Sequence, residues 1–350
     1  MRSVKLAFYA RLALILHGIA LVLLFLYIGK SIFIPLFLAF LVAILLFPVV
    51  RKLEKMHIPR TVASIVAVLI FVACVGGLIF FFSHQVVRFT KDLPNLQEKF
   101  STKLQVARDW LAEKYNIEDS VQVNYINNST AGLAGTAVNS IATTFLGMVK
   151  LVVLMIFLFI FTFFILYYRK LLIEFLFALF DSKHSDRVRT VFLEVHGVIN
   201  SYVLGLLTEA VILGSLIFAA LEIMGIRYAL LISVMAAVFN IIPYIGIYTA
   251  LFFGSLITLA NGSGAQAFEV IIVFISAHFI DANIILPRIV GGRVKLNPMI
   301  TIVAVLVGNL LWGIPGMFLF IPLTAIIRII SQEIAELRPW GILLGEARRK

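Results

Sequence analysis

Four acidic residues lie within otherwise apolar stretches of this 350-residue chain: Glu209, Glu222, Glu269 and Asp281. A carboxylate at membrane depth is costly to keep there, and such groups usually serve a function. Glu222 and Glu269 lie near the ends of predicted membrane spans, where contact with water is the simpler interpretation. Glu209, in GLLTEAVILG, is in mid-span and could carry a proton or accept a hydrogen bond from a neighbouring helix.

The segment ISAHFIDANIILP adds a second set of polar side chains, His278, Asp281 and Asn283. His278 and Asp281 are three residues apart and therefore share one face of a helix. Buried together, they could carry a proton or bind a cation. They could equally form a structural hydrogen bond near the end of the helix.

A break with helix-stopping residues, NIIPYIG, lies near the centre of Tyr228–Phe268, a stretch without formal charge. Pro243 cannot donate a backbone hydrogen bond, Gly246 allows the chain to turn, and Asn240 supplies an amide. Backbone groups in lipid need internal partners, so a broken helix survives only inside protein or beside water. Half-helix ends and unwound carbonyls at such a break can form a site for a polar solute or an ion. A proline kink without a ligand is the alternative.

A second break, GNLLWGIPG at Gly308–Gly316, interrupts the uncharged stretch Met299–Ile327. The two tips are alike, because Asn240 precedes IIPYIG and Asn309 precedes LLWGIPG. The residues before the two hairpins, MGIRYAL and GGRVKLN, are alike too. This pattern predicts an inverted repeat, whose halves can exchange roles during alternating access.

The elements that carry these residues are predicted to be membrane helices. Hydrophobic residues make up 62% of the chain and charged residues 13%, whereas soluble proteins average about 45–50% and about 25%. The sequence predicts an all-α polytopic membrane protein with about six full spans, two broken or re-entrant helical hairpins and an amphipathic helical insert. The predicted spans are Leu12–Ile28, Ser31–Val50, Thr61–Ser83, Thr143–Tyr168, His196–Met224 and Phe268–Leu286.

This pattern divides the chain into consecutive segments. Residues 1–83 are predicted to be N-terminal membrane helices, and residues 84–142 a neutral amphipathic insert outside the cytoplasm. Residues 143–195 are predicted to hold the fourth span and a charged cytoplasmic elbow. Residues 196–330 would be a transport core with the inverted hairpin repeat, and residues 331–350 a basic cytoplasmic tail.

The breaks allow two topologies, because half-helices of about 12 residues can form either kinked full spans or re-entrant hairpins. With the N-terminus in the cytoplasm, hairpins place Arg288, Arg293 and Lys295 inside, which gives 20 of the 29 Lys and Arg residues inside. Kinked spans give 17 inside. Because cytoplasmic loops carry the excess of Lys and Arg, the count favours hairpins. Both topologies place the C-terminus in the cytoplasm.

The sequence contains no HExxH, GxSxG, Walker GxxxxGK or GxGxxG motif. It therefore predicts neither an enzyme nor a bound cofactor or metal, and the missing P-loop argues against an ATP-driven pump. Cys74 is the only cysteine, so no intrachain disulfide can form. The net charge of +11 collects in the predicted cytoplasmic flanks and does not indicate a nucleic-acid partner.

Three motifs follow one another along the chain: FNIIPYIG, then FIDANIILPRIVGGRVKLNP, then GNLLWGIPGMFLFIPL. With these motifs, the N-terminal hairpin and the insert, most of the chain resembles the autoinducer-2 exporter (AI-2E) family, also called PerM-type permeases. The resemblance implies a bacterial inner-membrane transporter that is homo-oligomeric and exports autoinducer-2, a small hydroxylated quorum-sensing signal. Other family members resemble sodium or lithium/proton antiporters.

By motif, the resemblance implies functional positions in and between the two breaks: Asn240, Pro243, Tyr244, Gly246, Asp281, Asn283, Pro287, Gly313, Pro315 and Gly316. Asn309 joins them as a candidate residue for binding the solute or ion. The candidates for proton or ion coupling are Glu209, His278 and Asp281.

One departure from the family concerns the fifth span. Family members often carry Gln after the Gly of this span, whereas this chain has Leu206 after Gly205. A substrate contact could be absent there, and Glu209 could replace it.

Three functions stay open at this point. The first is export of a small polar organic solute, which the uncharged hairpin tips favour. The second is antiport of a monovalent cation such as Na⁺ or Li⁺ against protons, which the intramembrane carboxylates favour. The third is a non-transporting scaffold built around the insert. Matched breaks argue against a scaffold, which needs no polar site at mid-membrane.

Overall fold

The computed structural model describes residues 7–85, 87, 152–181, 184–241, 246–286, 288–289 and 295–346. Within these ranges the chain is helical, and its only β-type pairing is an isolated antiparallel bridge between Leu296 and Gly345. Of the predicted insert, only residues 84, 85 and 87 fall within the described ranges. The rest of that prediction lies outside them.

Most helices begin and end within about five residues of the predicted membrane segments, but α6 begins eleven residues before the predicted fifth span. Their bounds are α1 Phe8–Ile28, α2 Lys30–Lys55, α3 Arg60–Gln85, α4 Val152–Tyr167, α5 Arg169–Ala178, α6 Ser185–Ile223, α7 Ala229–Phe239, α8 Gly246–Asn261, α9 Gly264–Ile280, α10 Pro298–Trp312, α11 Ile314–Glu333 and α12 Arg338–Leu344. A short π-helical segment, Asp281–Ile285, continues α9.

The lengths and composition of these helices confirm an all-α polytopic membrane protein. Among the described residues, five helices are long and apolar enough to cross a membrane: α2, α3, α6, α9 with its π-helical extension, and α11. A sixth span is present if α4 and α5, bent by 69° at Tyr168, form one broken span. The 39-residue α6 is the longest of them, and at 1.5 Å per residue it measures about 58 Å, well beyond a hydrocarbon core of about 30 Å.

The predicted breaks are where the helices stop. Helix α7 ends at Phe239 and α8 begins at Gly246, and α10 and α11 meet at Gly313. Gly313 has a φ of +64°, a conformation that favours glycine. The expectation of four short arms is wrong for α11, which has 20 residues against 11, 16 and 15 in α7, α8 and α10. It passes through Pro322 and continues beyond the uncharged stretch to Glu333, so the second hairpin has one arm of spanning length.

The first hairpin, α7–α8, folds back on itself between α6 and α9. A Cβ added to Gly214 of α6 would lie 2.9 Å from Ala237 of α7, and one added to Gly254 of α8 would lie 2.9 Å from Ile232 of α7. A Cβ on Gly246 would overlap the Phe239 carbonyl. These contacts pair the two arms in antiparallel order, so both ends of the hairpin lie on one side and its tip lies deeper.

The second hairpin, α10–α11, also has both ends on one side. The Leu296–Gly345 bridge joins the start of α10 to the chain beyond α11. Beside it, Asn297 N–H donates to Leu344 O at 3.0 Å, and Glu346 N–H donates to Lys295 O at 3.3 Å. A kinked full span would separate these two segments by the thickness of the membrane. The structure therefore favours the re-entrant hairpin over the kinked span.

Ionic contacts bring several helix ends to the same face of the protein. Glu54, near the end of α2, pairs with Arg169 at the start of α5, and the Phe47 ring lies between Arg169 and His196. Glu194 of α6 lies 3.4 Å from Arg328 of α11. These segments are among those that the positive-inside count groups together, and that they face the cytoplasm stays a prediction.

Two apolar cores divide α6 between them. The first core joins α6 to α2, α10 and α11, and the second joins it to α7, α8 and α9. From α6, the first core takes Ile199, Tyr202, Val203 and Leu206. The second core takes Leu213, Ile217 and Leu221. The buried residue between these two sets is Glu209.

Candidate functional site

The Glu209 carboxylate, between the two cores, meets the tip of the first hairpin. Its side chain is 3% exposed. Asn240, the residue directly after α7, donates a hydrogen bond from Nδ2 to Glu209 Oε1 at 2.9 Å. The second carboxylate oxygen, Oε2, is buried and has no hydrogen-bond partner among the described residues. The amide of Asn240, at the tip of the first hairpin, therefore contacts Glu209, whose second carboxylate oxygen can still accept a hydrogen bond.

A second buried carboxylate lies near the same amide. Asp281 is 4% exposed, and both the Asn240 side chain and Glu209 are close enough to influence its charge. Asp281 Oδ1 is buried and lacks a partner in the described part of the chain. Asp281 is also the first residue of the π-helical segment, a local widening that often occurs at functional sites.

His278 lies one helical turn before Asp281 and attracts it electrostatically. Its Nδ1 is buried and has no partner within the described ranges. The Tyr248 ring, on α8, packs edge-on against the imidazole with centroids 5.6 Å apart. The histidine therefore links the carboxylate pair to the second arm of the first hairpin.

The chemistry of this cluster follows from its burial. An ionised carboxylate without a counter-charge is very costly in a low-dielectric site. Two neighbouring carboxylates, each with an oxygen that lacks a hydrogen-bond partner, can lower that cost by sharing a proton or by holding a cation between them. Hydroxyl groups of a solute could also donate to these oxygens, and hydrogen bonds to charged groups are among the stronger ones.

The remaining candidates of the first hairpin and α9 lie elsewhere or outside the described ranges. Gly246 is the first residue of α8, packed on the Phe239 carbonyl, and it shapes the tip through its backbone. Asn283 is exposed, and its amide donates to Phe279 O at 2.8 Å in its own helix. The structure therefore does not bring Asn283 to the carboxylates. Pro243, Tyr244 and Pro287 are outside the described residues.

In the second hairpin, the candidates form the tip itself. Asn309 is exposed on α10, and its carbonyl accepts a hydrogen bond from Gly313 N–H. Pro315 is half-buried in the first turn of α11, where the missing N–H of proline costs nothing. Gly316 is buried against the Gly308 backbone. These residues shape the turn, and no described side chain joins them to Asp281.

The tip of the second hairpin lies at the depth of the Glu209 carboxylate. Contacts between α6 and α11 run in antiparallel order, from Glu194 with Arg328 to Tyr202 with Phe318. Seven residues, about 10 Å, separate Tyr202 from Glu209 along α6. In the same direction along α11, the turn at Gly313 lies five residues, about 8 Å, from Phe318. Both hairpin tips thus end near the membrane depth of Glu209, the carboxylate of α6 that lies between the two cores.

The sequence did not reveal the Asn240–Glu209 bond or the role of Tyr202 as a contact of the second hairpin. Tyr202 precedes Glu209 by seven residues, a spacing that places both on one face of α6. That spacing was the available signal for Tyr202. The Asn240–Glu209 pairing depends on how α7 lies along α6, which no local pattern encodes.

A comparison with protein-family models identifies the group to which the chain belongs. The model described as "AI-2E family transporter" matches residues 16–336. This chain belongs to the AI-2E transporter family. The AI-2E family assignment confirms the resemblance seen in the three motifs, and it makes this a multi-pass membrane protein of a bacterial transporter family.

Several relatives match the AI-2E chain over most of its length. YrrI of Bacillus subtilis is 26% identical over 320 residues, which is 88% of each chain. MT0215 of Mycobacterium tuberculosis is 26% identical over 324 residues, 89% of this chain and 85% of that protein. The AI-2 transport protein TqsA of Escherichia coli is 23% identical over 325 residues, 92% of each chain.

Proposed function

We propose that this AI-2E family member is a secondary-active transporter that exports a small polar solute such as autoinducer-2. Transport would proceed by alternating access at a mid-membrane site between the two hairpin tips. The observation that carries this proposal is the buried pair Glu209 and Asp281 at the tip of the first hairpin, where Asn240 donates a hydrogen bond to Glu209.

The division of α6 into two cores supports alternating access. Each hairpin packs on its own half of α6, with Glu209 between the halves. One hairpin can therefore shift along α6 while the other keeps its apolar contacts. Such a shift would open the polar site to one side of the membrane at a time, which is the requirement of alternating access.

The solute class follows from the acceptors in the site. Free oxygens of Glu209 and Asp281 are suited to a ligand with several hydroxyl donors, and the Asn240 amide adds a donor. Autoinducer-2 is a small hydroxylated molecule, and the relative TqsA is named for transporting it. The match between donors and acceptors is the chemical ground for placing this chain with exporters of such solutes.

A second candidate function is antiport of Na⁺ or Li⁺ against protons. The specific observation in its favour is that the two buried carboxylates, Glu209 and Asp281, each keep an oxygen without a hydrogen-bond partner in the described part of the chain, which a bound cation or a shared proton would occupy. In an exporter, the same pair would couple solute movement to an ion gradient. The two functions therefore differ in the cargo and share the coupling residues.

The cellular setting is part of the same proposal. We place the protein in the bacterial inner membrane with both termini in the cytoplasm, as a homo-oligomer surrounded by lipid. The Lys and Arg count supports the orientation. The absence of an enzyme motif is in keeping with a transporter, and no step here calls for a cofactor.

The test uses purified protein in liposomes that contain a pH-sensitive dye. Na⁺, Li⁺ or K⁺ is added outside, and proton flux is compared between wild type, Glu209→Gln and Asp281→Asn. Glu222→Gln is the matched control, because Glu222 is exposed at the C-terminal end of the same helix. A second set of vesicles is loaded with autoinducer-2, and its release is followed with and without an imposed proton or sodium gradient.

Gradient-dependent release of autoinducer-2 that is lost in Glu209→Gln and Asp281→Asn, but kept in Glu222→Gln, is the expected result. Cation-driven proton flux without solute release would make the protein an antiporter. Wild-type protein that is folded yet moves neither cargo would refute transport of both. Full activity in Glu209→Gln and Asp281→Asn would show that the carboxylate pair is not the coupling site.

A further inference from the structure

A proline inside α11 leaves one backbone carbonyl without its helical partner. In an α-helix, the N–H of each residue bonds the carbonyl four residues earlier, and proline has no N–H. Pro322 lies within α11 and is buried. The carbonyl of Phe318 therefore lacks its usual donor, and the proline ring pushes this carbonyl away from the helix. A buried carbonyl in this situation needs a partner from elsewhere.

That partner comes from α6. The hydroxyl of Tyr202 donates to Phe318 O at 3.4 Å, across 116 residues of sequence. Tyr202 is 2% exposed, and its ring packs on the Phe318 ring with centroids 5.8 Å apart. The ring contact places the hydroxyl at the carbonyl that Pro322 frees. The bond therefore links the long arm of the second hairpin to the helix that carries Glu209.

We infer that Tyr202 is a positioning residue that holds the second hairpin on α6 at the point where Pro322 weakens α11. Its use in transport rests on the proposed alternating-access function. Tyr202 lies two turns from Glu209 on one face of α6, so one helix carries both the polar site and the attachment of the hairpin. A helix that has lost a hydrogen bond at proline is the place where kinks form. Release of the Tyr202 hydroxyl would free α11 to bend there.

The inference is tested with a double-mutant cycle of Tyr202→Phe and Pro322→Ala. Tyr202→Phe removes the hydroxyl and keeps the ring on Phe318. Pro322→Ala supplies the missing N–H, so the Phe318 carbonyl regains a donor within its own helix. Tyr27→Phe, at an exposed tyrosine of α1, is the matched control. All variants are checked for a monodisperse peak before use and are reconstituted in lipid nanodiscs.

The readout is amide hydrogen exchange in α11, measured by mass spectrometry, because it needs no knowledge of the cargo. Tyr202→Phe is expected to speed exchange in the turns around Phe318 about five- to tenfold, the effect of one lost hydrogen bond to a buried carbonyl. Pro322→Ala should exchange no faster than wild type, and adding Tyr202→Phe to it should change nothing further. Tyr27→Phe should match wild type.

Two exchange results would overturn the inference. Faster exchange from Tyr202→Phe in both backgrounds would mean that the hydroxyl acts independently of the carbonyl that Pro322 frees, and unchanged exchange in both would mean that the hydroxyl holds nothing. The role in transport is judged separately by the rate of autoinducer-2 release or proton flux. A Tyr202→Phe defect that Pro322→Ala rescues supports that role, and normal transport in Tyr202→Phe refutes it. If wild type moves no cargo, the proposed function fails, while the exchange result still decides the attachment.

Discussion

The second hairpin depends on two glycines that let its arms touch through their backbones. A Cβ added to Gly316 would overlap the Gly308 carbonyl oxygen and lie 2.6 Å from the carbonyl carbon. Favourable carbon contacts begin at about 3.5 Å. The arms would therefore have to move apart by about 1 Å to admit a single methyl group. Gly316→Ala should loosen the tip at Gly313 for this reason.

The expected cost can be worked from these contacts. Overpacking costs about 1–3 kcal/mol, and the upper end applies here because a backbone carbonyl cannot rotate away as a side chain can. Alanine gains about 1 kcal/mol over glycine in a helix. The free energy of unfolding of Gly316→Ala should therefore fall by about 2 kcal/mol, which is about 30-fold in the unfolding equilibrium. Transport should slow in the same variant.

The assay is equilibrium unfolding in mixed detergent micelles with increasing SDS, followed by tryptophan fluorescence. Gly18→Ala on α1 is the control, because a Cβ there would have nothing within 4 Å. It should gain the helix propensity alone and be as stable as wild type or up to about 1 kcal/mol more stable. If Gly316→Ala is as stable as Gly18→Ala, the backbone contact between the arms does not exist as described.

Three further predictions concern topology, the elbow and the first hairpin. Lys295→Cys, in a Cys74→Ser background, should react with a membrane-impermeant thiol reagent only from the cytoplasmic side, and labelling from outside would exclude the re-entrant hairpin. Arg169→Ala should lower the free energy of unfolding by about 1–3 kcal/mol in the SDS assay, because the partly buried Glu54 carboxylate loses its charged hydrogen-bond donor and keeps Arg60, at 3.8 Å, as an ion-pair partner. Arg169→Lys should lose less. An unchanged stability in Arg169→Ala would mean that Arg60 and solvent already compensate the charge of Glu54. Pro243→Ala should insert normally yet slow transport in the liposome assay, and a normal rate would separate the break from function.

The sequence predicts the breaks well because their causes are local. Pro and Gly stop or turn a helix whatever surrounds them, so the ends at Phe239 and Gly246 and the turn at Gly313 follow from NIIPYIG and GNLLWGIPG. The elbow after Tyr168 follows from a switch between apolar and charged residues. The length of α11 was misjudged because the uncharged stretch ends at Ile327, whereas the helix begins at Ile314 and continues past Arg328 to Glu333. The charge of Arg328 does not end the helix, because its guanidinium lies 3.4 Å from Glu194.

The composition of the site was less accessible than the breaks. Glu209 and Asp281 stand out as charges in apolar stretches, so their selection needs no tertiary information. Their meeting at Asn240 needs α7 to lie antiparallel on α6 with one particular register, and many contacts along both helices set that register. Asn283 lies two residues beyond Asp281, which places it on nearly the opposite helix face, and it is exposed there. Its role stays a prediction that the geometry does not support.

The division of α6 into two cores has a consequence for leakage. Protein segments with separate apolar contacts can open as separate cooperative units, each with its own free energy of opening. In this protein the boundary between two such units falls at Glu209. If the two units open independently, the probability that both are open at once is the product of the two separate probabilities and is therefore far smaller than either. In the proposed transport cycle, a barrier to water and protons would therefore remain while either half of α6 stays covered, and the membrane would keep its gradient.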